Sequence, residues 1–350
     1  MADFGGWEMP IEYPPSSGGG VINEHTAVRD RVGLFDVSHL GKAEISGVGA
    51  REFLNSVLTN DLSKIAPGQA QYSMICEPES GGVIDDVIVY LHSDEEILMV
   101  PNAANNAEVV RLLQQSAPEG ISVSSAHEKY GVIALQGPLA KEILNSLGIE
   151  IDLSYMSFTK TRIGSHEVIV CRTGYTGESG YEILPLWIEA LPVWNLLVVE
   201  VEKRGGTVAG LGARDTLRTE MGYPLHGHEL SRTITPVEAG ASWAVGWQKE
   251  SFWGASRLRT QKEDGTERVL RAVVLADRGI PRADMNVVDA NGTPIGIVTS
   301  GTFSPTLKKG IALALISREF SIGAKVGIDV RGRTLPATIE KLPLVPSRVK

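Results

Sequence analysis

The hydrophobic pattern of this 350-residue chain changes near residue 265, and that change limits the possible folds more than any other feature. Upstream of it, helix-like periodicity alternates with strand-like runs. Downstream, helical patterning disappears and short apolar runs alternate with turns, at 270–275, 285–288, 295–298, 311–315, 326–330 and 335–339. Short strands at such spacing predict a small β-barrel or sandwich. Because one core rarely serves so long a chain, we expect a boundary near 250–268 and domains at 1–260 and 261–350.

Both kinds of periodicity occur upstream of that boundary, which predicts an α+β fold there. A Gly-containing turn at 79–82 separates two alternating apolar runs and predicts a hairpin within 71–100. A second hairpin pattern occupies 157–184, and we find no internal sequence repeat. A helix is expected to begin at Asn102 or Asn105, since an Asn side chain can cap a helix N-terminus. Further helices are expected near 22–32, 49–58, 138–147, 188–204 and 212–221.

Composition excludes several classes of protein. The formal net charge of −9 argues against a general nucleic-acid binder, which needs a basic face to replace phosphate counterions. No apolar run reaches the roughly 20 residues that a membrane-spanning helix needs, and the first residues do not resemble a signal peptide. Cys76 and Cys171 lie far apart without metal-ligand spacing, which predicts buried reduced thiols and no metal. We therefore expect a cytoplasmic protein without a nucleic-acid or membrane partner.

Two polar segments suggest binding sites but have simpler interpretations. The Gly-rich segment 174–180 lacks the Gly-Lys-Ser/Thr of a phosphate-binding loop, and a strand pattern follows it where a helix should begin. His226 and His228 are two residues apart with Glu229 beside them, but no third metal ligand is suitably spaced. An ordinary polar turn explains these histidines better than a metal site.

Arg214 and Arg218 are four residues apart and therefore share one face of a predicted helix. They suit bidentate binding of a carboxylate. They also suit a surface network with Asp215 and Glu220, and the residues alone do not decide between the two.

The acidic pair Asp85-Asp86 interrupts an otherwise apolar strand pattern at 83–90. Adjacent side chains of a strand point to opposite faces, so one carboxylate is expected to face inward and the other outward. Burying a carboxylate is costly without donors, and an inward one usually has a function or a cationic partner. The alternative is an acid pair at a strand end that binds backbone or an arginine.

Taken in order, several segments resemble the T-protein of the glycine cleavage system, the aminomethyltransferase family. The resemblance covers nearly the whole chain and rests on the combination of motifs. They are Ala-Asp-Phe-Gly-Gly-Trp-Glu-Met-Pro at 2–10, Phe-Asp-Val-Ser-His at 35–39, Gly-Gly-Val-Ile-Asp-Asp at 81–86, Arg-Thr-Gly-Tyr-Thr-Gly-Glu at 172–178, Gly-Ala-Arg-Asp-Thr-Leu-Arg at 212–218, Thr-Pro-Val-Glu at 235–238, and Thr-Ser-Gly with Ser-Pro at 299–305.

This resemblance implies a three-domain cloverleaf around a central folate channel, with a C-terminal β-barrel or jelly-roll-like domain. It implies transfer of an aminomethyl group from the lipoyl arm of H-protein to tetrahydrofolate, with release of ammonia and formation of 5,10-methylenetetrahydrofolate. It implies no metal, and we expect a monomer outside the complex. The competing functions are a non-catalytic folate-binding module and a demethylase of the same fold, and the fold alone does not separate them.

The resemblance also assigns site residues. Asp86 matches the family's key aspartate near folate N10, and Asp85 then becomes a structural partner. Glu182 matches the acid that pairs with the pterin N–H groups, and Arg214 matches a folate-contacting arginine. The pocket-lining matches are Tyr72, Tyr90, Asn102, Tyr175 and Tyr223, and Arg348 lies in a tail expected to approach the channel.

Overall fold

The computed structural model describes residues 1–330 and 332–350. Its strands are β1 (Ala2–Phe4), β2 (Trp7–Met9), β3 (Gly33–Asp36), β4 (Ala43–Ser46), β5 (Ala70–Cys76), β6 (Val83–Leu91), β7 (Glu96–Val100), β8 (Ser122–Ser125), β9 (Ile133–Gln136), β10 (Phe158–Ile163), β11 (His166–Cys171), β12 (Gly180–Pro185), β13 (Thr207–Val208), β14 (Arg268–Leu275), β15 (Asn286–Val288), β16 (Pro294–Ser304), β17 (Lys309–Ser317), β18 (Lys325–Val330) and β19 (Arg333–Glu340). Its α-helices are α1 (Val21–Asp30), α2 (Ala50–Val57), α3 (Asn106–Ser116), α4 (Ala140–Ser146), α5 (Ala190–Lys203), α6 (Leu211–Met221) and α7 (Ala255–Asp264).

These elements form three lobes. The first lobe is a sheet of order β5-β6-β7-β4-β8, and the second is a sheet of order β10-β11-β12-β9-β3-β13. The third is a closed barrel of order β14-β17-β16-β15-β18-β19, in which β14 pairs with both β17 and β19. The expected α+β cloverleaf is confirmed, and each of the short apolar runs downstream of residue 265 is a barrel strand.

The first two lobes repeat one order of elements, which the sequence search for repeats missed. A strand, a helix, three antiparallel strands, a second helix and a final strand follow one another from β4 to β8, and again from β9 to β13. Corresponding strands also take corresponding places in the two sheets, except that β3 is inserted beside β9. The repeat is visible in sequence only where the first strand meets its helix: Gly47, Ala50, Glu52, Leu54, Asn55 and Ser56 match Gly137, Ala140, Glu142, Leu144, Asn145 and Ser146.

The backbone conformation explains why both copies have a glycine where the first strand meets its helix. Gly47 and Gly137 have φ of 121° and 132°, a region that residues with a Cβ rarely adopt. A Cβ on Gly47 would overlap the carbonyl oxygen of Gly120, and one on Gly137 would overlap the carbonyl oxygen of Arg31. The chain therefore turns from strand to helix while lying directly against a neighbouring backbone.

Helix α6 carries buried charges that join the second lobe to the barrel. Glu220 is fully buried and accepts from Arg29 Nη2 at 2.8 Å. It also accepts from the hydroxyls of Ser304 and Thr306 in the barrel. Glu220 therefore takes no part in a surface network, one of the two alternatives that the sequence left open, because the barrel covers this face of α6.

Helix α7 was not anticipated from sequence, because its pattern is charged and offers few apolar positions. Its Leu258 is fully buried in an apolar cluster with Met74 and Val83 of the first lobe and Leu313 of the barrel. The helix contains residue 260, where the sequence analysis placed the division between two domains. That division stays a prediction. In the described part of the chain, no helix is long and apolar enough to cross a membrane.

We predict that Gly47→Ala lowers the free energy of unfolding by roughly 2–5 kcal/mol, because it adds a backbone clash to the cost of a positive φ. Gly49→Ala is the matched control. Gly49 begins the same helix with a φ of 89°, but nothing lies within 4 Å of its would-be Cβ. Urea titration of both variants measures the difference, and equal losses would show that close backbone approach does not matter at Gly47.

Candidate functional site

A cavity of about 1080 Å³, counting its opening to solvent, lies between the first two lobes. Strand β6 of the first lobe and strand β12 of the second contribute to its walls, and α6 with the segment that follows contributes a third side. Of the residues expected at the site, those lining it are Tyr72, Asp86, Tyr90, Asn102, Tyr175, Glu182, Arg214 and Tyr223.

Arg348 is the one expected site residue that is not among those lining the cavity. Its backbone N–H donates to the carbonyl of Gly177, and its guanidinium donates to the carbonyl of Arg29 at 3.1 Å. The guanidinium also lies 3.6 Å from Glu178. The C-terminal tail is thus attached to the outside of the second lobe near the cavity.

Asp86 is held by donors from two directions. Its Oδ2 accepts from the Tyr72 hydroxyl at 3.1 Å, and its Oδ1 accepts from Asn102 Nδ2 at 2.8 Å. Asp86, Ile88 and Tyr90 line the cavity because every second residue of a strand points to the same face. Burial raises the pKa of the Asp86 carboxyl, while the hydrogen bonds from Tyr72 and Asn102 oppose that rise.

Asp85 is fully buried and does not line the cavity. Its Oδ1 accepts from Asn102 Nδ2 at 2.8 Å and from Asn105 Nδ2 at 2.7 Å, and its Oδ2 accepts from the backbone N–H of Asn102 at 2.9 Å. The expectation of one inward and one outward carboxylate is therefore incomplete. The two leave opposite faces of β6, yet both bind the amide of Asn102.

The asparagines do not cap a helix with their side chains, contrary to expectation. A 3-10 turn at Ala103–Asn105 leads into α3, and both amide groups point back to the aspartates instead. A helix cap would use the amide oxygen as an acceptor, whereas the bonds to the aspartates use the amide nitrogen as a donor. Bonds to a charged acceptor are the stronger ones, so they set the orientation of each amide. This polar contact joins the segment that follows β7 to β6.

Glu182 forms a second acidic position in the cavity. It lies on β12, is 9% exposed, and accepts from the hydroxyls of Thr173 and Tyr90. Both bonds go to Oε2. The Glu182 carboxylate is thus oriented by neighbours that donate to one oxygen, while the residue still lines the cavity.

Aromatic rings and a cation form the wall opposite β6. The guanidinium carbon of Arg214 lies 4.6 Å from the ring centroid of Tyr175, which is cation–π distance. The rings of Tyr175 and Tyr223 have centroids 5.7 Å apart, and the Tyr175 hydroxyl donates to the carbonyl of Pro224.

Arg218 does not share a ligand with Arg214 in the cavity. Instead it is 2% exposed and donates to Glu229 at 2.8 Å and to Ser300 of the barrel at 2.7 Å. Its hydrogen bond to Asp215 is one pair of the network that the sequence suggested for these residues.

Sequence reasoning missed several cavity residues. Trp243 is 69% exposed, and its ring stacks on Tyr72 with centroids 5.2 Å apart. It lies outside every motif, so no local signal identified it. Thr173 lies within the motif at 172–178 but was not expected at the site, because a hydroxyl that orients a carboxylate has no distinctive spacing. The remaining missed lining residues are Leu40, Val87, Ile88, Val100, Pro101, Val132, Tyr155, Met156, Gly174, Leu184, Pro224 and Leu225.

His226 and His228 occupy a polar turn, as the simpler interpretation predicts. His226 Nδ1 contacts Asn105 Nδ2 at 3.0 Å and its Nε2 contacts the carbonyl of Val83 at 3.2 Å. His228 Nδ1 contacts the carbonyl of Thr299 at 2.9 Å. The two rings therefore bind different lobes and do not converge.

Two family models cover most of the chain. The GCVT N-terminal domain matches residues 1–249, and the glycine cleavage T-protein C-terminal barrel domain matches residues 268–346. The second match coincides with the closed barrel of the structure.

Individual relatives agree over the full length. The chain is 56% identical to an aminomethyltransferase of Frankia alni, covering 99% of this chain and 94% of that protein. It is 50% identical to one of Mycobacterium tuberculosis, covering 100% and 94%. The crystal structure of the glycine cleavage system aminomethyltransferase T from Bartonella henselae superposes with a TM-score of 0.91 at 30% identity, over 99% of this chain and 94% of that one. The resemblance found in the sequence is confirmed, and the chain belongs to the glycine cleavage T-protein family of aminomethyltransferases.

Proposed function

We propose that this chain transfers the aminomethyl carbon from the lipoyl arm of H-protein to tetrahydrofolate, releasing ammonia and forming 5,10-methylenetetrahydrofolate. The observation that carries the proposal is a cavity with carboxylates on two facing lobes, Asp86 and Glu182, between aromatic walls. The pyrimidine ring of a reduced pterin is flat and presents N–H donors along one edge. Aromatic rings suit its faces and a carboxylate suits that edge.

Glu182 is the residue we assign to the pterin edge. Its Oε2 already accepts from Thr173 and Tyr90, which leaves Oε1 and further lone pairs for ligand donors. Tyr175 and Arg214 line the same cavity, and the cation of Arg214 suits an acidic or carbonyl group of the folate.

Asp86 is the residue we assign to the reacting nitrogens. Folate N5 attacks the carbon as its bond to nitrogen breaks, and ammonia leaves with the N5 proton. N10 then attacks the same carbon, the bond from that carbon to the lipoyl sulfur breaks, and the N10 proton passes to the thiolate that leaves. A carboxylate fixed by Tyr72 and Asn102 can accept a hydrogen bond or that proton and so raise the nucleophilicity of the nitrogen. Holding the two reactants together supplies a further large part of the rate, because it replaces a bimolecular encounter.

The family membership supports H-protein as the partner, and a cytoplasmic location and a monomeric free state remain predictions. The direct experiment combines the purified chain with tetrahydrofolate and aminomethylated H-protein and measures ammonia and methylenetetrahydrofolate. Stoichiometric formation of both supports the proposal. Folate binding without product would favour a non-catalytic module, and one-carbon transfer only from an N- or S-methylated donor would favour a demethylase.

We predict that Asp86→Asn lowers kcat by roughly 100-fold or more while changing folate affinity by about threefold or less, because the amide keeps the shape but loses the basic oxygen. Stopped assays give kcat, and fluorescence titration gives the folate Kd. Parallel losses in both quantities would show that Asp86 only binds.

We predict that Glu182→Gln raises the folate Kd by roughly 10–100-fold, because a charged acceptor of pterin N–H groups is replaced by a neutral amide. Glu167→Gln, on the exposed end of neighbouring β11, is the control and should leave the Kd unchanged. Isothermal titration calorimetry measures both. A Glu182→Gln protein that binds folate as tightly as the unmodified chain would contradict the assignment.

A further inference from the structure

Asp85 does not line the cavity, yet it accepts three hydrogen bonds close to Asp86, the carboxylate that we assign to the reaction. Its oxygens accept from Asn102 N, Asn102 Nδ2 and Asn105 Nδ2 at 2.9, 2.8 and 2.7 Å. Burial of an isolated carboxylate is expensive, and these three donors offset that cost. So dense a set of donors calls for a reason why a charge lies here.

The direction of each hydrogen bond is fixed by chemistry. The groups that donate to Asp85 are amide N–H groups, which cannot accept, so Asp85 acts here only as an acceptor. Asn102 Nδ2 has two hydrogens, and its close contacts are Asp85 Oδ1 and Asp86 Oδ1, both at 2.8 Å. One amide nitrogen therefore bridges the two carboxylates. Asp85 holds Asn102 at two points, because it accepts from the side-chain amide and from the backbone N–H of that residue.

The network continues away from the cavity through Asn105. The second hydrogen of Asn105 Nδ2 points at His226 Nδ1, 3.0 Å away, so that ring nitrogen accepts. His226 Nε2 must then carry the proton, which it donates to the carbonyl of Val83 at the start of β6. Asn105 thereby connects Asp85 to the segment that follows α6.

The two carboxylates do not have equal numbers of donors. Asp85 accepts three N–H bonds, whereas Asp86 accepts from Tyr72 and from Asn102 and is half-buried in the cavity wall. Hydrogen bonds to the charged form favour it, and more of them reach Asp85, so we assign the lasting charge to Asp85 and a proton taken up by the pair to Asp86. Burial of Asp85 and the charge of Asp86 act against this assignment, because both raise the pKa of Asp85. Repulsion between two charges is reciprocal, so an ionised Asp85 also raises the pKa of Asp86.

We propose that Asp85 is a positioning residue for the reaction, which holds Asn102 against Asp86 and places a fixed negative charge beside it, so that Asp86 is kept both oriented and basic. This inference rests on the proposed role of Asp86. The other titratable groups facing Asp86 are Tyr72 from β5, Tyr175 from the second lobe and His226 from the segment after α6. Among these groups Asp85 is the one that shares the bridging amide nitrogen with Asp86.

The test measures kcat against pH for the full chain with tetrahydrofolate and aminomethylated H-protein. Asp86 must be ionised to act, so activity falls on the acid side as Asp86 takes up its proton. Asp85→Asn removes the neighbouring charge and lowers the pKa of Asp86. We expect the acid limb to move to lower pH by roughly 0.5–2 units, kcat on the plateau to fall roughly 3–10-fold, and KM for folate to stay within about twofold. An acid limb at an unchanged pH would overturn the proposal.

A second variant guards against misfolding of the first. Asn105→Ala removes one donor from Asp85, so Asp85 competes better for the proton and Asp86 holds it less tightly. The acid limb should move in the same direction by a smaller amount. A shift to higher pH would contradict the donor argument even if Asp85→Asn could not be purified.

Asp61→Asn is the matched control for loss of a buried aspartate. Asp61 is 8% exposed in the same lobe and accepts from the N–H and hydroxyl of Ser63, far in the chain from the acidic pair. We expect it to lower stability without moving the acid limb. If it moved the limb as Asp85→Asn does, the shift would reflect general loosening of the lobe and the proposal would fail.

A measurement without turnover separates this inference from the proposed function. The carboxyl carbons of aspartate, labelled with ¹³C, are titrated by NMR in the free chain, and the Asp86 signal is identified by its loss in Asp86→Asn. Asp85→Asn should lower the pKa of that signal by the same roughly 0.5–2 units. An inactive but titrating chain would overturn the function and leave the electrostatic coupling, whereas an active chain with an unshifted Asp86 signal would overturn the coupling alone.

Discussion

The arrangement of the lobes depends on charges buried along α6 and the segment after it. Glu220 binds Arg29 on one side and barrel hydroxyls on the other, and Arg218 binds Glu229 and Ser300. Each buried ion costs several kcal/mol of desolvation unless its partners are in place. Separating the barrel from the second lobe would strand these ions, whereas an apolar contact would tolerate a shift. The ion pairs therefore fix one relative placement of the lobes.

The cavity inherits its shape from that placement. Helix α6 presents Arg214 to the cavity and Arg218 to the barrel, and the segment after it supplies Tyr223 to the wall and His226 to the acidic network. Substitution of a residue that contacts no ligand can therefore shift several residues that line the cavity. We expect catalytic defects from substitutions in this buried network to resemble loss of alignment, because a small displacement in a preorganised site is costly.

Local pattern was sufficient for the barrel strands and for the β5-β6 hairpin, because alternation and turn residues are determined within a few positions of the chain. It was insufficient wherever tertiary contacts reassign a side chain. Asn102 has the composition of a helix cap but binds the carboxylates, and Glu220 has the composition of a surface acid but lies under the barrel. The cavity residues that were expected came from the family resemblance, and they are fewer than half of those that line the cavity. Trp243 was missed, since its contact with Tyr72 exists only after the lobes meet.

The internal repeat explains how one cavity obtains two acids with different tasks. Two copies of one fold unit place a sheet on each side, but the acids occupy non-equivalent strands. Asp86 lies on β6, the middle one of three antiparallel strands, and Glu182 lies on β12, the last of the three in the other copy. The groups that contact each acid then give the two acids different roles. Hydroxyl groups orient Glu182 for recognition, whereas Asp86 faces a second carboxylate across a shared amide. Environment, more than residue type, assigns each acid its chemistry, because burial and neighbouring charge move the pKa values of like groups apart.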